Sequence, residues 1–179
     1  MYFKDLDQRF DNFLQIVDYQ SRFKDNPHDF IQYPTQLALT NRGISWFKEN
    51  GFILRDYVKV FKIIANCSGP IHVDAYKNLG TKFAFNFVYS GHGEMQWIDN
   101  IVGDSYYIEH RKESYPSFKN IKSFDIVEQW SGKSALVKTD SFHRITTTTS
   151  ERYCISVRTI GGETFPSTFE EAIKIIEMN

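Results

Sequence analysis

Two cysteines in 179 residues, Cys67 and Cys154, are too few and too scattered for a disulfide framework or a zinc cluster. Free thiols in a reducing compartment are expected. Long apolar runs are also missing, and no stretch is apolar enough over enough length to span a bilayer. The opening Met1-Tyr2-Phe3-Lys4-Asp5-Leu6-Asp7 carries acids where a signal peptide needs a basic start and an apolar run. These absences predict a soluble, intracellular (cytoplasmic) protein with no membrane contact. An excess of one charge is lacking too: Lys+Arg 21 stand against Asp+Glu 22, with no long basic run. The abundant aromatics (Phe 16, Tyr 10, Trp 3) therefore lack the basic field that base-stacking platforms need, and nucleic acid is not an expected partner. Such residues suit the pleated, half-buried surface of a sheet. With no phosphate loop, no dinucleotide glycine motif, no repeat and no linker, residues 1–179 read as one domain.

What is present is patterned. Phe3, Leu6, Phe10, Phe13 and Val17 recur at steps of three and four, which predicts an N-terminal packing helix. Asn26-Pro27-His28-Asp29 breaks the chain. A first strand is expected at Gln36-Leu37-Ala38-Leu39-Thr40, then a short helix near Ile44 to Asn50 closed by Gly51. Tyr57 to Ile64 reads as a strand. Thr81 to Tyr89 alternates, with Phe83, Phe85, Phe87 and Tyr89 on one face and Lys82, Ala84, Asn86 and Val88 on the other. Ser90-Gly91-His92-Gly93 is a turn before a strand at Glu94 to Ile98. From Asp99 to about Lys122 the pattern decays, and an insertion or flexible loop over a site is expected, with Tyr106, Tyr107 and Tyr115 available to line a pocket. Strands resume at Asp125–Trp130, Ser134–Lys138 and Tyr153–Val157. Ser167-Thr168-Phe169-Glu170 has capping-box spacing and predicts a helix to about Glu177. The class is mainly β with helices at both ends.

The chemistry concentrates in Pro70-Ile71-His72-Val73-Asp74, read as a short strand after a Ser68-Gly69 turn. Side chains at i and i+2 leave the same face of a sheet, so His72 and Asp74 can present one nitrogen and one oxygen to a metal. His143, several strands later, is the candidate third ligand. Two histidines and a carboxylate on one side of a metal are the donor set of non-haem Fe(II) oxygenases. Arg152 and Arg158 follow on one face of the next strand with Ser156 between them. A guanidinium pairs bidentately with a carboxylate, so this face can anchor a dicarboxylate co-substrate. Duller readings stand beside these: a surface His72–Asp74 pair, a core His143, or a structural salt bridge of Arg152 with Glu151 or another acid. His92-Gly93-Glu94 is a rival His-x-acid motif in a turn, and nothing marks His28 or His110 as ligands.

The sequence resembles the Fe(II)/2-oxoglutarate-dependent dioxygenases. His72-Val73-Asp74 is similar to their proximal metal motif and His143 to their distal ligand. Arg152-Tyr153-Cys154-Ile155-Ser156-Val157 resembles the prolyl-hydroxylase group. Ser134 to His143 is similar to the aspartyl/asparaginyl-hydroxylase-like branch. The resemblance, from about Tyr57 to Arg158, implies a double-stranded β-helix (jelly-roll, cupin-like) core that uses Fe(II), 2-oxoglutarate and O2. It implies that Arg152, helped by Ser156, holds the far carboxylate of 2-oxoglutarate, and that Tyr89 or Asn86 touches the co-substrate. The implied reaction hydroxylates a C–H bond of an amino acid, peptidyl side chain or small molecule, releasing succinate and CO2. The Arg152–Arg158 spacing also resembles the AlkB-like nucleic-acid demethylases, although Cys154 stands where that group favours asparagine. Arg158 is open between pocket and structural roles. A cupin-like metal or small-acid binding module without turnover, and a structural domain with an accidental His72–Asp74 pair, are the other classes. Oligomeric state is not legible.

Overall fold

The computed structural model describes residues 1–23, 30–74, 81–110, 113–147, 149–162 and 165–178, with the side chains of 109, 110, 113 and 114 excepted. In chain order the elements are β1 (Phe3–Asp5), β2 (Phe30–Pro34), α1 (Thr35–Ala38), α2 (Asn41–Glu49), β3 (Ile53–Leu54), β4 (Tyr57–Ile63) and β5 (Phe83–Ser90). There follow β6 (Gly93–His110), β7 (Glu113–Trp130), β8 (Ser134–Lys138), β9 (His143–Thr147), β10 (Arg152–Val157), β11 (Thr159–Ile160) and α3 (Phe169–Met178). The protein is mainly β. A six-stranded sheet runs β1-β8-β5-β10-β4-β2, a three-stranded sheet β7-β6-β9, and β11 pairs with β3. No helix among the described residues is long and apolar enough to cross a membrane.

The central strands behave as one antiparallel ribbon folded over itself. β4 pairs with β10, the chain at His72 bridges to β9, β5 pairs with β8, and β6 with β7. These nested pairs fall alternately into the larger and the smaller sheet. The β5–β10 and β6–β9 ladders then stitch each sheet together. Both faces of the large sheet are covered, so its strands carry apolar residues on each side. On the outer face Phe83, Phe85, Val60 and Ile155 pack with Phe47 of α2 and Phe169 of α3. On the inner face Ala84, Ala135 and Val137 meet Met95 and Trp97 of the smaller sheet.

The expected N-terminal helix is absent. Phe3 pairs with Val137 in β1, and Gln8–Phe10 form one 3-10 turn. The Asp7 carboxylate accepts from the Arg9 N–H, and Asn12 takes a left-handed φ of 66°. Neither fits a continuous helix. The apolar stripe is nevertheless buried, with Leu6, Phe10 and Phe13 in the outer core. The strand expected at Gln36–Thr40 is likewise corrected, because Thr35–Ala38 make one helical turn and only Leu39 bridges, to Leu14. Pro34, with no N–H to donate, ends β2 just before it.

Asp99–Lys122 is not a loop. Its described residues, 99–110 and 113–122, lie in β6 and β7, two paired strands of 18 residues each. Register shifts around Ile98, Val102 and Asp104 and left-handed Asn100 and Asn120, each with φ 50°, bend this arm. Each asparagine amide donates across the ribbon at 2.7 Å, Asn100 to Asp125 and Asn120 to Asp104. The alternation fades because the middle of the arm is a ribbon exposed on both faces, as at Val102 and Ile126.

At the C-terminus the capping box is shifted by one residue. The Thr168 hydroxyl accepts from the Glu171 N–H, while the Glu171 carboxylate accepts from the N–H groups of Ser167 and Thr168. Those N–H donors hold the Glu171 carboxyl down at about 2. Thr168→Ala is expected to lower stability by about 1 kcal/mol, read from the urea midpoint at unchanged slope.

Candidate metal centre

His72 is held in place by backbone on both sides. It exchanges both hydrogen bonds with His143, N–H to carbonyl at 2.9 Å in each direction. On its other flank the Val73 N–H donates to Pro116 O, and the Phe118 N–H and Ser117 hydroxyl donate to Ile71 O. The expected strand at Pro70–Asp74 thus amounts to bridges at His72, sandwiched between β9 and the returning half of β7. The Asp74 N–H donates to Thr139 O at 3.0 Å, which fixes the third position.

These constraints bring His72, Asp74 and His143 together, with one potential ligand atom from each within 4.8 Å of the others. Asp74 Oδ1 lies 3.1 Å from His72 Nε2, and Oδ2 lies 3.7 Å from His143 Nε2. Each imidazole Nδ1 sits 2.9 Å from a carbonyl oxygen two residues earlier, Pro70 for His72 and Ser141 for His143. A carbonyl only accepts, so Nδ1 carries the proton and Nε2 offers its lone pair. Two neutral nitrogens and one carboxylate oxygen, converging with an open side, fit a divalent transition metal.

The electrostatics agree. Burial opposes ionisation of Asp74, but the Arg158 guanidinium and both histidines hold its carboxyl well below the ordinary range. Burial and the neighbouring His72 lower His143 to about 4, leaving it neutral. For His72 burial pulls downward, yet the Asp74 carboxylate outweighs it and the net direction is up, so the carboxylate favours a proton on this imidazole, one that a metal at Nε2 would have to displace. Arg158, open between two roles in the sequence, stands beside the metal ligand: its Nη2 donates to Asp74 Oδ2.

The centre opens into a cavity of about 170 Å³ between the sheets, the space of about five waters. Arg152, Ser156 and Asn86 line it and are buried. Among the described residues, Arg152 Nε, Ser156 Oγ and Asn86 Oδ1 have no hydrogen-bond partner. A buried polar atom left so costs about 1–3 kcal/mol, a cost that a bound polar ligand removes. Glu151 does not pair with Arg152; it meets Lys62 at 3.1 Å and the Tyr153 hydroxyl at 2.8 Å. Cys154 lies between Arg152 and Ser156 on the cavity face, its thiol pushed up by burial.

Other sequence candidates fall elsewhere. Tyr89 is on the face of β5 opposite Asn86, 38% exposed and edge-on to Tyr19. His92 is exposed, and Glu94 accepts from Gln96, so that motif contributes no metal cluster among the described residues. Its glycine matters instead. A Cβ on Gly93 would meet Thr146 O at 2.2 Å and Arg152 Cδ at 2.9 Å, so the absent side chain is what lets Arg152 lie where it does. His28 lies outside the described residues, as does the His110 side chain. Tyr107 is 60% exposed, whereas Tyr115 is buried with its ring 6.3 Å from that of His72. Sequence reasoning missed Lys59, which lines the cavity and donates to the Tyr115 hydroxyl at 2.9 Å. The available signal was a lysine inside the otherwise apolar strand Val58–Val60.

No family model matches the sequence, and no curated protein matches it. Among solved structures, hydroquinone 1,2-dioxygenase PnpCD in complex with Cd2+ and 4-hydroxybenzonitrile is similar at 13% identity and a TM-score of 0.32. The match covers 68% of this chain and 64% of that one.

Proposed function

We propose that the chain is an Fe(II)- and 2-oxoglutarate-dependent oxygenase that hydroxylates a C–H bond of a small-molecule or peptidyl substrate. The observation that carries this reading is the sharing of one cavity by two features. One is the His72/Asp74/His143 centre with both Nδ1 atoms pinned. The other is a buried, incompletely partnered Arg152 and, on the same face of β10, a Ser156 hydroxyl with no partner among the described residues. The nested strand pairs distributed alternately between two facing sheets support a double-stranded β-helix.

His72 and His143 would hold the metal through Nε2 and Asp74 through a carboxylate oxygen, with Arg158 keeping that carboxylate ionised and oriented. Arg152 would receive the far carboxylate of 2-oxoglutarate with help from Ser156. Iron with this co-substrate and O2 supplies the oxidation of a C–H bond, with succinate and CO2 released. The chain's part is to fix three ligands, leave one side open and keep water scarce around the reacting atoms, which the burial of Met95 and Tyr115 serves.

Purified protein with Fe(II), ascorbate and 2-oxoglutarate is expected to form succinate slowly without added substrate and to stop when 2-oxoglutarate or metal is withheld. Folded protein that binds neither Fe(II) nor 2-oxoglutarate would overturn the reading. Binding of both with no succinate and no O2 uptake would make the chain a non-catalytic metal and small-acid binding module.

A further inference from the structure

The centre is also held from outside, by the returning end of the β6–β7 arm. Ser117, 1% exposed, stands opposite His72 in an antiparallel bridge, and the bonds around it go to the residues on either side of that histidine. The Val73 N–H donates to Pro116 O at 3.1 Å. Ile71 O accepts from the Phe118 N–H at 3.3 Å and from the Ser117 hydroxyl at 2.6 Å, so the serine makes the shorter of the two bonds. The Phe118 ring lies edge-on to Phe142, the residue before His143, with centroids 5.0 Å apart. Residues 115–118 thus reach both histidine-bearing segments. The same arm end brings Ile108 and Tyr115 to the cavity wall. It arrives there through a ribbon exposed on both faces, interrupted by register shifts and turned by left-handed Asn100 and Asn120. A segment connected in this way is of the kind that opens ahead of the whole fold.

We propose that residues 115–118 are a metal-linked clamp, with Ser117 as the residue that positions His72 through Ile71. Docked, the clamp closes the cavity wall; undocked, it frees one side of residues 71–73 and opens that wall. Two sets of contacts act here on one short piece of backbone. The clamp fixes residues 71–73 by their main chain, and His72 and Asp74 would grip a metal through their side chains. Whatever stiffens this segment favours both, so docking tightens metal binding, and metal binding tightens docking by the same factor. The inference rests on the metal-binding part of the proposed function and not on 2-oxoglutarate.

Hydrogen exchange read by mass spectrometry, together with Mn(II) calorimetry, tests the clamp. In chelator the Phe118 and Val73 amides are expected to exchange faster than Ile155 of the central strand β10, because the clamp opens before the fold does. With Mn(II) at about 100 times its Kd they should slow by about a hundredfold, since each opening then forfeits the metal. The middle of the arm around Val102, which opens without disturbing the centre, should keep its rate. Ser117→Ala should weaken Mn(II) binding by about tenfold. Phe118→Leu, which keeps the main-chain bonds and loses the ring contact with Phe142, should weaken it by about threefold. Clamp amides that exchange at the Ile155 rate in chelator, or that do not respond to Mn(II), would overturn the proposal. So would a Ser117→Ala protein that is less stable in urea yet binds Mn(II) within about twofold of wild type, the signature of a serine retained for packing. If Ser117→Ala does not fold, the wild-type exchange rates decide alone. Failure of wild type to bind Mn(II) would end the metal-centre reading itself, whereas normal binding with unlinked exchange ends only the clamp.

Discussion

Asp74→Ala is expected to abolish metal binding and, in the metal-free protein, to cost about 3 kcal/mol of stability. The two effects have different causes. Metal binding goes because Asp74 is the anionic donor of the centre, placed within 4 Å of both histidine Nε2 atoms. Stability falls because Asp74 is also the partner of Arg158, whose side chain is only 12% exposed. Removing one member of a buried pair leaves the other desolvated and uncompensated, which costs more than the pair contributes. The causes separate in a double variant: Asp74→Ala with Arg158→Met removes both charges and is expected to recover most of the lost stability while staying metal-free. Urea titrations in chelator give the first quantity, and Mn(II) calorimetry the second. Wild type should gain about 2.7 kcal/mol at metal concentrations of 100 times Kd, and both Asp74 variants should gain nothing. Undiminished Mn(II) affinity in Asp74→Ala would remove the carboxylate from the centre. Additive losses in the double variant would mean that Arg158 does not depend on Asp74.

The strands closest to the sequence expectations are those whose burial is two-sided or strictly alternating. Ser134–Lys138 is β8, Tyr57–Ile63 is β4, and the Phe83–Phe85–Phe87 face of β5 is the outer core. The His72-Val73-Asp74 juxtaposition was also legible, because i and i+2 share a face in any extended chain, even where only bridges are formed. That same alternation separates Tyr89 from Asn86 by a sheet thickness, a consequence already present in the pattern Phe83, Phe85, Phe87, Tyr89. Two regions were misread for opposite reasons. Phe3 to Val17 has helical spacing, but its apolar residues reach the core from a strand, a 3-10 turn and irregular chain, each set by distant partners such as Val137 and Leu39. The Asp99–Lys122 arm has no alternation because neither face of its middle is buried, and its pairing is specified by the strand opposite. That arm also explains why the contact of Tyr115 with Lys59 was not legible. They lie 56 positions apart, and only the returning half of β7 brings them together.

Arg152→Met is expected to move stability and co-substrate binding in opposite directions. Arg152 is 2% exposed, and among the described residues its Nε has no partner and no carboxylate lies within salt-bridge reach of it. A buried charge in that condition weakens the fold, so an apolar side chain of similar length should leave the metal-free protein as stable as wild type or more stable by about 1 kcal/mol. Mn(II) affinity should stay within about twofold, because the metal ligands contact Arg158 and not Arg152. The 2-oxoglutarate affinity of the metal-loaded protein, by contrast, should fall by at least about thirtyfold, the cost of removing one partner of a buried charge pair. Arg152→Lys should fall between, since it keeps the charge and loses the two-pronged geometry. A residue retained for packing would show the reverse signature: lower stability, unchanged 2-oxoglutarate binding. Calorimetry with 2-oxoglutarate and urea denaturation on the same preparations distinguish the two. The reverse signature would return Arg152 to the fold.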